Sequence, residues 1–290
     1  ELRKYGKSKE HRPNPIVTMG LFMDADGIPM SFDIFPGNKN EQTTLKPLEQ
    51  KIIRDFNCSE FIFCSDSGLG SLNNRRFNSF SHRAYVITHS LKKMKEEDRK
   101  AAMNPAQFRK IGAQKFVDLR TLDETDEEVY SSVYYKEYPL ITGDMVETLI
   151  VTYSPKYAAY QRKIREGQIE RTQKILCSPE KKRKGKNPND PMRFVKRTTV
   201  TIDGEIAEKT VYDLDREQIE KEAMYDGFYA VVTNLEGNVN EIIRINQQRW
   251  EIEENFRIMK DELGSRPAFV RREDRIKAHF MTCYISLIVY

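Results

Sequence analysis

The chain has 290 residues, 39% of them hydrophobic, which is enough for one large domain or two ordinary ones with a buried core. A net charge of +4 does not by itself mark a nucleic-acid binder, and Cys58, Cys64, Cys177 and Cys283 show neither CxxC spacing nor a disulfide-dense framework, as expected in a reducing cytosol. The four histidines lack zinc-ligand spacing, no secretory signal is visible, and the apolar end at 280–290 is too short to span a bilayer and reads as a buried helix.

Residues 16–23, rich in Ile, Val, Thr and Phe, read as a strand, and Asp24-Ala25-Asp26-Gly27 is a turn with Gly available for positive φ. Residues 28–35 are the returning strand, broken by Pro36-Gly37-Asn38. Residues 41–56 have helical spacing at Leu45, Leu48, Ile52, Ile53 and Phe56. The short apolar run 61–64 fits the buried centre of a sheet and ends at Ser65-Asp66-Ser67-Gly68. A helix over 71–80 and a strand over 85–88 follow. The order hairpin, helix, strand, helix, strand allows a mixed sheet with helices packed on it.

From about 92 to 225 the pattern changes. Residues 92–110 are charged and helix-prone, 148–153 strand-like, 158–175 a charged helix, and 198–202 with Asp203-Gly204 a hairpin candidate. This block reads as an insertion, with 148–153 outside the centre of the main sheet. The organisation expected is therefore 1–91 and 226–290 as two parts of one core, with 92–225 as an inserted subdomain. Residues 228–233 return to a buried strand. A single helix is expected over 242–263, stopped by Gly264 and Pro267.

Charge is unevenly placed. Residues 171–197 hold ten Lys or Arg against Glu180 and Asp190, and residues 3–12 hold five against Glu10. Such blocks suit phosphate contacts, or form solvated loops. The loop at 180–189 is expected to be exposed and poorly ordered in the absence of DNA.

Arg249, Glu253 and Lys260 form one stripe, since Glu253 lies about 40° and Lys260 about 20° around a helix from Arg249. Ile245, Ile252, Phe256, Met259 and Leu263 form the neighbouring, apolar stripe. A carboxylate flanked by two cations at the edge of a buried face can reach a cleft as an anion; the same pattern also suits a solvated face with i,i+4 ion pairs. Asp66 follows an apolar strand and precedes Gly68 and Gly70. That is where sheet enzymes place ligand-facing residues, and it is also where turn formers and helix N-caps sit.

Several dispersed segments resemble the DDE transposases of bacterial insertion sequences. They are Tyr5-Gly6-Lys7-Ser8-Lys9-Glu10-His11-Arg12, Gly20-Leu21-Phe22-Met23-Asp24-Ala25-Asp26-Gly27-Ile28-Pro29, Phe35-Pro36-Gly37-Asn38 and Ser65-Asp66-Ser67-Gly68-Leu69. The run from Arg249-Trp250-Glu251-Ile252-Glu253-Glu254 through Lys260 to Arg266-Pro267 looks like the Tyr-Arg-Glu-Lys motif of the insertion-sequence-4-like branch. The resemblance covers most of the chain except the inserted block.

The resemblance implies an α/β, RNase H-like mixed sheet with flanking helices, interrupted by a large insertion. It also implies three metal-binding carboxylates and two Mg²⁺ ions, with Mn²⁺ able to substitute. Asp66 would be the middle Asp and Glu253 the Glu, both catalytic and metal-binding. Arg249, Lys260 and Asn246 would bind or orient DNA, Asn246 standing where the motif has Tyr. The motif's first Asp would lie upstream of Glu1; Asp24, Asp26 and Asp33 are not its substitutes. The chain starts without Met and stops at Tyr290 in an apolar run, so it reads as a fragment expected to be inactive alone and unable to complete strand transfer by itself. The function implied is metal-dependent cleavage and transfer of double-stranded DNA at insertion-sequence ends and target. The protein would work as a homodimer on paired ends, in the bacterial cytoplasm at the nucleoid and without a membrane. The alternatives are an inactive DNA-binding remnant and a host nuclease on the same fold.

Overall fold

The computed structural model describes residues 1–6, 13–58, 60–177, 189–200 and 209–290, with side chains throughout except at 199–200 and 209–211. In chain order the elements are β1 (Val17–Met23), β2 (Pro29–Pro36), α1 (Glu41–Phe56), β3 (Ile62–Ser65), α2 (Leu72–Phe77), β4 (Ala84–Thr88), α3 (Glu96–Ala102), β5 (Phe108–Lys110), β6 (Phe116–Val117) and α4 (Glu127–Ser131). They continue with β7 (Tyr134–Thr142), β8 (Met145–Tyr153), α5 (Pro155–Cys177), β9 (Val195–Val200), β10 (Lys209–Leu214), α6 (Arg216–Ala223), β11 (Phe228–Thr233), α7 (Val239–Gln247), α8 (Trp250–Asp261) and α9 (Glu273–Val289).

One seven-stranded sheet has the order β3-β4-β11-β8-β7-β5-β6. β3 runs parallel to β4, with Ser65 opposite Ile87, and β4 runs antiparallel to β11, with Thr88 opposite Val231. The sheet is therefore mixed and carries helices, the α/β class read from the sequence. Its inner strands are continuous apolar runs because both faces are covered. Tyr85, Val86 and Ile87 of β4 and Leu149, Ile150 and Val151 of β8 are all buried. β1 and β2 form a separate antiparallel pair, as do β9 and β10.

Two units can be distinguished, one of residues 1–90, 137–150 and 230–290, the other of 91–136 and 151–229. In the first, α1 buries Leu45, Leu48 and Ile52, as its spacing predicts, although Phe56 is exposed. The helix starts at Asn40, whose side chain accepts the Gln42 N–H, and ends at Asn57 in the left-handed region (φ 49°). Helix α1 lies on the β1–β2 hairpin, and Lys51 Nζ donates to the Phe32 carbonyl at 2.8 Å. Helices α8 and α9 meet the same hairpin through Ile258, Met259, Cys283 and Leu287, against which Met19 and Leu21 pack. Tyr284 of α9 donates its hydroxyl proton to the Pro29 carbonyl at 3.1 Å.

In the second unit α5 is the longest helix among the described residues. Its inner side is fixed by Arg165, which makes a two-armed ion pair with Asp226 at 2.5 Å, and by Thr172, whose hydroxyl donates to the Pro191 carbonyl at 2.8 Å. Arg193 pairs with Glu222 at 2.8 Å beside it.

Six expectations need correction. The run 61–64, expected in the buried centre of a sheet, forms β3 at the sheet edge, with Phe63 buried and Ile62 45% exposed. The strand holding 148–153 is β8, fourth of the seven, so it lies at the sheet centre and not outside it. Residues 92–110 are not one helix: α3 ends at Ala102, and Phe108, fully buried, opens β5. Helix α2 covers Leu72–Phe77, less than 71–80, because Asn78 closes it by turning its N–H back to the Asn74 and Arg76 carbonyls. The helix expected over 242–263 is two helices. The end of the chain is buried on one stripe only, Ile276, Phe280, Cys283 and Leu287, while Ile285 and Ile288 are exposed. The segment Lys7 to Arg12, most of the basic loop at 180–189 and the turn Asp203-Gly204 lie outside the described residues. Among the described residues no helix is long and apolar enough to cross a membrane.

Candidate active site

β3 ends with buried Ser65, and the next residue, Asp66, emerges exposed. Its Oδ1 accepts the Gly68 N–H at 2.8 Å, an Asx turn that folds the carboxylate back over the loop. A Cβ at position 68 would stand 2.9 Å from that oxygen, and one at position 70 would stand 2.7 Å from Cγ2 of Ile87 on β4. The two glycines therefore let the loop close tightly around Asp66. The N-cap of α2 is Ser71, whose side chain accepts the Asn74 N–H, so Asp66 is not the cap.

Helix α7 packs on β3 and β4 with Val239, Ile242 and Ile243 inward. Cys64, two residues before Asp66, donates its thiol to the Ile245 carbonyl at 3.6 Å. Burial pushes that thiol up to about 11, and the charge of Arg249 acts in the opposite sense. The end of α7 and the Arg249 guanidinium are thus close to the strand that delivers Asp66.

Between α7 and α8 the chain tightens. Arg249 N–H bonds to the Asn246 carbonyl, Glu251 N–H to Gln248 and Ile252 N–H to Arg249, each spanning three residues where α-helical bonds span four. Arg249 is consequently the first residue of α8's geometry, and the angular argument carries from it to Glu253 and Lys260. It does not carry back to Ile245 or Asn246, which belong to α7. Arg249 Nη1 meets Glu253 Oε1 at 2.6 Å. The arginine side chain is 26% exposed and the glutamate 66%, so the pair runs from the helix flank into solvent. Lys260 points along the helix instead, its Nζ 5.4 Å from the centre of the Phe256 ring.

What fixes α8 was not read from the sequence. Asn255 Nδ2 donates to the Gly27 carbonyl at 3.0 Å, tying the helix to the β1–β2 turn, and Glu251 lies against the same glycine. Asp24 shapes that turn by accepting the N–H groups of Asp26 and Ile28 at 3.0 and 2.8 Å. Asp33 accepts the N–H of Ile34 at 2.8 Å. An interior Asn on a helix has no pattern that would announce such a clamp.

The structure thus joins Arg249 with Glu253, places α7 against β3, and leaves Asp66 and Glu253 as exposed carboxylates without a shared partner. Both supply the hard oxygen donors that Mg²⁺ takes, so the donor chemistry fits such an ion. Among the described residues, no three His, Cys, Asp or Glu side chains are grouped to hold a metal. The sequence model of a family described as the transposase DDE domain matches residues 3–289. No curated protein gives a significant match.

Proposed function

Because this chain belongs to the transposase DDE domain family, we propose that it cuts and joins DNA strands at insertion-sequence ends, as a member of the insertion-sequence-4-like branch. In this reading Asp66 and Glu253 are metal-binding carboxylates. Bound Mg²⁺, two ions in the full arrangement, supplies the positive charge that activates a water or 3′-hydroxyl and stabilises the leaving oxygen. Asp66 keeps Oδ1 on Gly68, so the loop orients it before an ion arrives. Arg249 holds Glu253 in one rotamer and adds positive charge for a phosphate. Lys260, further along α8, and Asn246, at the end of α7, would contact or orient the DNA on either side of that pair. The second unit is an insertion into the core, and the block 92–225 gives back 137–150 to that core. A homodimer on paired DNA ends completes the reading.

The observation that carries this proposal is the Arg249–Glu253 pair at 2.6 Å on a helix whose neighbour α7 lies on the strand leading to Asp66. The test is Mg²⁺-dependent cleavage and joining of a cognate duplex end by the chain and by Asp66→Asn and Glu253→Gln. Asn keeps an acceptor for the Gly68 N–H, so Asp66→Asn preserves the loop and removes the charge. Each variant is expected to lose at least about 10²-fold in cleavage, the effect of losing a few kcal/mol of charge stabilisation. Cleavage at the parent rate by either variant removes that residue from the site. Cleavage without joining favours the nuclease reading.

A further inference from the structure

Helix α5 has two faces of different character. The cations the fold uses lie inward or to the side: Arg165 on Asp226 at 2.5 Å, and Arg162 3.9 Å from Glu124. Lys156, Lys163, Arg171 and Lys174 do not take part. At about 100° per residue they fall within an arc of roughly 80° on the opposite side from buried Ala158 and Thr172. All four are exposed, and among the described residues no carboxylate pairs with them. The helix's own acids, Glu166 and Glu170, sit on one flank of the arc. Tyr160 and Ile164, 60% and 43% exposed, complete the outer face and line a shallow groove with Lys163, Gly167 and Arg171.

Gly167 lines that groove at the centre of the cationic arc. It lies in the middle of a 23-residue helix, where Gly is less favourable than Ala. Its φ is ordinary, and a Cβ there would meet nothing within 4 Å. Neither the backbone nor any described neighbour requires a glycine. Absence of a side chain at the centre of a cationic arc is what a close approach from outside requires.

We propose that this face of α5 is a second DNA-binding surface, seating the sugar–phosphate backbone of a duplex at Gly167. The proposal rests on the reading that this chain acts on DNA. From Lys156 to Lys174 the arc runs about 27 Å along the helix. Duplex DNA presents about one negative charge per 1.7 Å of its axis, so a row of this length meets phosphates throughout. An acidic protein would call for an apolar centre, and Ile164 alone does not provide one. Tyr160 adds a hydroxyl donor and a flat face to the same edge.

The experiment is fluorescence anisotropy of a labelled duplex of arbitrary sequence with the full chain in EDTA, across a range of KCl. Chemistry is then absent and only binding is read. The triple variant Lys163→Ala, Arg171→Ala, Lys174→Ala is expected to lower the slope of log affinity against log salt by about 2.7, three contacts at about 0.9 each. Gly167→Leu should raise the thermal midpoint, since Leu is the better helix former, and weaken binding by about tenfold or more. A purely structural role predicts no such opposition. Glu166→Gln with Glu170→Gln should bind as tightly as the parent or tighter. An unchanged salt slope in the triple variant, parent-like binding by Gly167→Leu, or equal competition by polyglutamate of matched charge overturns the proposal. The two readings separate because cleavage by Asp66→Asn in Mg²⁺ decides the site reading, whereas the salt slope of the triple variant in EDTA decides this one.

Discussion

Glu49 sits on α1 with no exposed surface, facing Asn78 just beyond α2. Asn78 Nδ2 donates to Glu49 Oε1 at 2.8 Å. Glu49 Oε2 and Asn78 Oδ1 are both buried acceptors without a donor among the described residues. One proton on Glu49 supplies the donor this pair lacks. Burial raises the carboxyl from 4.5 to about 7, outweighing the Asn78 bond and the charge of Arg83, which favour the anion. Between those values the unfolded chain has released the proton and the folded chain still holds it. Stability therefore falls as pH rises through this window and levels off above about 7. A rise from 4.5 to about 7 corresponds to about 3 kcal/mol. Glu49→Gln keeps the shape, places a permanent donor near Asn78 and does not titrate. Urea unfolding followed by circular dichroism should show the variant gaining about 3 kcal/mol on the parent between pH 4.5 and 8. Taking the difference cancels groups common to both chains. A difference that stays flat across that range would refute the argument that Glu49 is folded as the acid.

Two further outcomes concern the first unit. Arg75 and Glu147, 6% and 0% exposed, pair at 2.5 Å, and Tyr85 donates to the same carboxylate. Glu147→Ala should cost about 3–5 kcal/mol in urea unfolding by leaving a buried cation, and adding Arg75→Met should restore much of it; a single-variant loss below 1 kcal/mol would contradict the pairing. Gly27 (φ +80°) faces Glu251 of α8, whereas Gly112 (φ +81°) faces open space. Alanine at either should cost about 1–2 kcal/mol, but only Gly27→Ala should also slow cleavage, since it displaces the helix bearing Glu253; equal cleavage by both would detach that turn from the site.

The elements legible in the sequence were those in which local pattern and tertiary role coincide. The hairpin shows its turn through Asp24 and Gly27, and α1 keeps its stripe from Leu45 to Ile52, whereas the apolar run of β3 names a strand but not its place, which is the sheet edge with Ile62 exposed. Strand β8 failed the same test because composition speaks for a neighbourhood, whereas sheet position is decided by pairing. Leu149, Ile150 and Val151 are buried in the sheet while the segments on either side are charged, so a block boundary drawn by composition crossed a core strand. The candidate site divides along the same line. Arg249 and Glu253 are four residues apart on one helix, so their 2.6 Å contact follows from helix geometry alone. The approach of α7 to β3 depends on Cys64 meeting Ile245, 181 residues later in the chain, and no local spacing encodes that. The break before Arg249 is equally hidden, since Gln248 is a good helix former and no Gly or Pro marks the tightened turn. Yet that break makes Arg249 the start of α8, with Glu253 one turn further on in the ion pair. Arg249 meets Glu253 because the pair begins where the new helix begins, whereas the apolar stripe carried back to Ile245 crosses the junction and is split between α7 and α8.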